Sequence, residues 1–100
     1  MTMINFKRTG GMIGRELTMD FDLNNLPASE AQHLHNMLNE SKFFDIPSIN
    51  PILSSPDEFE YSITVVAGNS IHTVRVSDTA MPHSLRPLVE DLTELAKATT

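Results

Sequence analysis

Between Phe59 and Ser77 the side chains change character at every second position, and this alternation restricts the fold more than any other feature of the chain. Phe59, Tyr61, Ile63 and Val65 alternate with Glu60, Ser62, Thr64 and Val66; Gly68-Asn69 interrupts, and a second β run follows from Ile71 to Ser77. Successive side chains of a strand point to opposite faces, so a period of two marks a strand with one buried side. Gly-Asn between two such runs is turn chemistry that joins antiparallel neighbours. A lone hairpin is at best marginally stable, so the remaining sequence must supply further strands or a covering layer.

It supplies both. Ile4 and Phe6 alternate with Asn5 and Lys7, and Leu17, Met19 and Phe21 alternate with Thr18, Asp20 and Asp22. Gly10, Gly11 and Gly14 lie between these runs and imply positive φ angles or close backbone approach in a hairpin loop. Leu26-Pro27 opens a helix, with proline in its first turn, Glu30 favourable to the N-terminal dipole, and Ala31, Leu34, Met37 and Leu38 as its apolar stripe. The helix should end near Lys42, after which Phe43, Phe44 and Ile46 fold back into the core. Pro47, Pro51 and Pro56, with Ser48, Ser54 and Ser55, exclude regular structure from the segment up to Asp57. Beyond Asp78 and Pro82, the residues Leu85, Leu88, Val89, Leu92 and Leu95 follow helical spacing, with Glu90, Asp91 and Glu94 outside. The expected class is α+β, in the order β-β-α-β-β-α, with two helices on one face of a four-stranded, largely antiparallel sheet. No linker or repeat divides residues 1–100, so a single domain is expected.

The chemistry open to this chain is narrow. With 40% hydrophobic and 20% charged residues the composition is globular, and the absence of cysteine excludes disulfides, thiolate metal sites and a thiol nucleophile. A net charge of -6 opposes nucleic-acid and anionic-membrane binding, which need clustered Lys and Arg, so a protein partner is expected. Met1 to Thr9 lacks the apolar block of a signal peptide, and the expected location is the cytoplasm.

Histidine offers no metal site. His33 and His35 are two apart on a helix and point to different faces, His72 lies on a strand and His83 beside a proline, and no His-Glu-x-x-His spacing occurs. Asp78-Thr79-Ala80 matches the short aspartyl protease signature, but Ser77 precedes it in place of an apolar strand end, and it falls in the last quarter of the chain. A loop in which Asp78 or Thr79 caps the last helix is the better expectation. Asp57-Glu58, Glu60 and Glu90-Asp91 lack a partner that would tune them for acid-base work. Gly10 to Gly14 lacks the Gly-Lys-Ser/Thr ending of a phosphate loop and joins two strands. No cofactor and no catalytic residue is therefore expected. What stands out is Met12-Ile13, two bulky apolar residues among glycines where turns are normally polar. They either tuck into the core or serve as an exposed anchor for a partner.

The order and spacing of several segments resemble the emfourin family, small inhibitors of protealysin and related thermolysin-like zinc metalloproteases. The likeness runs through Thr9-Gly10-Gly11-Met12-Ile13-Gly14, Leu26-Pro27 with Glu30-Ala31 and Leu34, and Phe43-Phe44-Asp45-Ile46-Pro47. It continues through Pro56-Asp57-Glu58-Phe59-Glu60-Tyr61, His72-Thr73-Val74, Asp78, Pro82 and the leucines of the last helix. Met12-Ile13 departs from the aromatic or aliphatic residue followed by a small one expected there. The resemblance implies a cytoplasmic protein whose partner is a thermolysin-like metalloprotease, and a monomer is expected when the chain is free.

On that reading Thr9, Gly10, Gly11, Met12, Ile13 and Gly14, with Ser55, Pro56, Asp57, Glu58 and Phe59, form one convex edge that plugs the protease cleft. Met12 or Ile13 would fill the pocket that takes a bulky apolar residue just after the cut bond; Asp57 or Glu58 would be nearest the target's zinc. A non-inhibitory adaptor or antitoxin-like module is the alternative, and an enzyme comes last.

Overall fold

The computed structural model describes residues 2–10, 16–48 and 58–99. Strand β1 (Thr2–Gly10) is followed by β2 (Leu17–Asp22), helix α1 (Ala28–Ser41), strands β3 (Phe59–Ala67) and β4 (Ser70–Ser77), and helix α2 (Arg86–Thr99). Short 3-10 turns at Leu23–Asn25 and Phe43–Asp45 flank α1. Among the described residues the strands form one sheet in the order β2-β1-β3-β4, every neighbour antiparallel. The β-β-α-β-β-α order and the α+β class are those expected from the periodicities.

The period of two sorts the sheet into a buried and an open face. Ile4 lies opposite Phe21 on one side and Val65 on the other. Phe6 lies between Met19 and Ile63, a row that Val74 continues into β4, where Val76 lies opposite Tyr61 on the same face. Phe6, Ile63, Val65, Val74 and Val76 are completely buried. The helices cover this face, with Leu34, Met37 and Leu38 of α1 and Leu88, Val89, Leu92 and Ala96 of α2 in the same core. Each fully buried Leu or Phe contributes about 1.5–3 kcal/mol by leaving water, so the helices are held chiefly by this stripe. The open face is mixed: Met3, Val66 and Ile71 form an apolar row across it, while elsewhere the Thr64 and Thr73 hydroxyls lie 2.8 Å apart and Arg75 reaches Glu60 at 2.7 Å.

Helix α1 begins one residue later than the sequence suggests. Pro27 stands at the N-cap, where its carbonyl accepts from the main-chain N–H groups of Glu30 and Ala31, both at 3.0 Å. Lys42 ends the helix in the left-handed region at φ 53°. That reversal buries Phe43 and Ile46, whereas Phe44 remains 46% exposed, contrary to its expected place in the core. Phe44 instead meets Phe43 edge-on and packs against His72. His72 Nε2 lies 2.6 Å from the Ile46 carbonyl oxygen, which can only accept, so this nitrogen carries the proton. With the Arg75 N–H donating to Ser48 at 3.3 Å, the chain after α1 runs beside the outer edge of β4 and covers its unpaired groups.

Candidate functional site

The register between β1 and β3 pairs Gly10 with Phe59 and Thr9 with Glu60. Four of the residues expected to bind a partner, Thr9, Gly10, Glu58 and Phe59, therefore meet at one end of the sheet. Gly11, Met12, Ile13, Gly14, Ser55, Pro56 and Asp57 lie outside the described residues. The two segments singled out by sequence start from adjacent positions, one after Gly10 and the other before Glu58.

Main-chain packing is close at Gly10. Its φ of 89° is one that side chains rarely adopt, and a Cβ there would lie 2.5 Å from the Glu58 carbonyl oxygen. Only glycine permits so close an approach. On the other side of β3, the Asp78 N–H donates to the Phe59 carbonyl at 3.0 Å, extending the β3–β4 ladder past the end of β4. One oxygen of the Glu58 carboxylate, Oε1, accepts from the Thr79 main-chain N–H at 2.7 Å and from the Thr79 hydroxyl. These two donors, the hydroxyl foremost, hold the Glu58 carboxyl below its usual pKa range.

A second cluster sits beside it on the helix-covered side. Arg8 follows Ile4 and Phe6 in the alternation and so points toward the core; its guanidinium lies 4.2 Å over the Phe59 ring. Phe59 in turn adjoins Tyr61, whose ring also approaches Phe6. Burial, reinforced by the negative charge of Asp78, raises the Tyr61 phenol's pKa against the opposing influence of Arg8 and Arg86. Arg86, the first residue of α2, reaches both the Asp78 carboxylate and the Asp78 carbonyl.

Neither Asp78 nor Thr79 therefore caps α2 as expected: Asp78 is turned to Arg86 and Thr79 to Glu58. Arg8 and Arg86 were not singled out by sequence reasoning, and Thr79 was expected only as a cap of α2. Arg8 carried a signal, since a cation on the core-facing register of a strand needs a partner at that end. His33, His35 and His83 are exposed, and among the described residues no group of three His, Asp or Glu side chains could hold a metal ion. The arrangement offers a braced surface edge.

A family model described as Emfourin matches residues 6–93, a span that includes this end of the sheet. The chain belongs to the emfourin family. No curated protein matches it. A solved structure, emfourin (M4in) from Serratia proteamaculans, an M4 family peptidase inhibitor, shares the fold with a TM-score of 0.51 at 19% identity. The match covers 88% of this chain and 85% of that one. At that identity the likeness speaks for the emfourin fold alone, and the assignment of this chain to the family rests on the family model.

Proposed function

We propose that this emfourin-family chain inhibits a thermolysin-like zinc metalloprotease of the protealysin type by occupying its active-site cleft. Family membership supports inhibition as the activity, and the M4 peptidase inhibitor of the same fold supports the target class. The observation that supports the mechanism is the pairing of Gly10 with Phe59, which brings the described ends of the two candidate segments together. Thr9 to Gly14 and Ser55 to Phe59 then act as one edge, and Met12 or Ile13 fills the pocket beyond the scissile position. A braced edge binds with little ordering cost and resists being cut, because rigid main chain cannot relax into the transition-state geometry.

A tight inhibitor interface buries about 800 Å² per partner, roughly an eighth of the 6089 Å² surface. The protein acts as a cytoplasmic monomer that blocks turnover and performs none. The test is peptide hydrolysis by a thermolysin-like enzyme followed over time with and without the purified protein. Inhibition is expected, weakened by Met12→Asp or Ile13→Asp; undiminished hydrolysis at saturating protein rejects the reading.

A further inference from the structure

The geometry points to Glu58 as a positioning residue, whose carboxylate, clasped by Thr79, is turned to its own chain and holds the start of β3 in place at the base of the inhibitory edge. The inference rests on the inhibitor reading above. Glu58 is held from two sides by different elements. Toward β1 its carbonyl oxygen would stand only 2.5 Å from a Cβ at Gly10, so the two main chains approach too closely for any residue but glycine there. Toward the segment after β4 its side chain accepts both the N–H and the hydroxyl of Thr79. Both donors converge on Oε1, and hydrogen bonds to an ionised carboxylate are about twice as strong as neutral ones.

The neighbouring residues hold the same junction. Phe59 is fixed through its carbonyl by the Asp78 N–H and through its ring by Arg8, and Asp78 is anchored to α2 by Arg86. Glu58 immediately precedes β3 and is the first residue of this anchored unit, so its orientation decides the direction in which the chain reaches the sheet. A carboxylate turned toward Thr79 is committed to the protein's own main chain. Its contribution to inhibition is pre-organisation, which lowers the ordering cost of binding.

The experiment compares wild type, Glu58→Ala, Thr79→Ala, the double variant and the conservative Glu58→Gln and Thr79→Ser. Inhibition constants against a thermolysin-like protease are measured beside denaturation midpoints and the amide proton resonance of residue 79. Glu58→Ala and Thr79→Ala are each expected to weaken inhibition about tenfold and shift that amide, with the double variant no worse than either. Glu58→Gln keeps an acceptor and Thr79→Ser keeps a hydroxyl, so both conservative changes should restore inhibition and the amide position.

Wild-type protein that fails to inhibit rejects the inhibitor reading itself, and this inference with it. If wild type inhibits but Glu58→Ala does so equally well, or if the two alanine effects add, the clasp is not the positioning device; additivity would mean that Glu58 meets the protease directly. An unmoved Thr79 amide in Glu58→Ala overturns the inference without reference to the protease.

Discussion

Gly10 and the Glu58 carbonyl are so close that a methyl group on Gly10 would lie 2.5 Å from that oxygen. Gly68, the other described glycine with positive φ, has nothing within 4 Å of the corresponding position. Gly68→Ala therefore meets only the left-handed backbone penalty, about 1–2 kcal/mol, whereas Gly10→Ala adds a collision with main chain that cannot swing aside. Urea denaturation should show Gly10→Ala losing at least about 1 kcal/mol more than Gly68→Ala. Equal losses would mean that β1 and the Glu58 main chain separate without cost.

Acid should weaken the same junction. Thr79 lowers the Glu58 pKa in the folded protein, so the clasp stabilises the fold above the unfolded value of about 4.5 and is lost as pH falls through the folded value. The stability difference between wild type and Glu58→Gln should be constant near neutrality and shrink below about pH 4. Thermal midpoints measured from about pH 7 to about pH 3 check this; a difference that grows in acid would reverse the assigned sign.

The core prediction separates buried from exposed apolar residues. Leu88 of α2 is completely buried in the core beneath the sheet, whereas Ile71 is 71% exposed on the open face. Leu88→Ala should cost about 2–5 kcal/mol, and Ile71→Ser should change stability by less than about 0.5 kcal/mol. Denaturant midpoints for the two variants give the comparison.

His72 holds the turn after α1 through one proton. Replacing it with Phe preserves the ring packing against Phe43 and Phe44 but leaves the Ile46 carbonyl without its donor, at a cost of about 1–3 kcal/mol. Amide exchange of the Arg75 N–H, which bonds to Ser48 in the same strip, should accelerate in His72→Phe. Unchanged exchange would show that the strip is held by its apolar residues alone.

The strand and helix periodicities were legible because each element has one wet and one dry side, and burial in the fold follows those sides. Phe44 departs from expectation because adjacent Phe43 and Phe44 look alike in sequence, while the left-handed turn at Lys42 can aim only one of them inward. At the candidate site, the positive φ and close approach expected of the glycines hold at Gly10, but the clasp between Glu58 and Thr79 was illegible. It joins residues far apart in sequence, and nothing in an isolated Asp78-Thr79 pair distinguishes a helix cap from a donor to a distant carboxylate. Arg8 was readable in principle as a cation out of step with its strand, although its partner, the Phe59 ring, emerges only from the sheet register.

The strand order also has a consequence for biosynthesis. Because β1 lies between β2 and β3, it stays half-paired on the ribosome until Val65 and its neighbours have been translated to lie against Ile4. Until then the nascent chain carries an open, apolar-sided ribbon vulnerable to other proteins, and its protection depends on how quickly translation reaches β3.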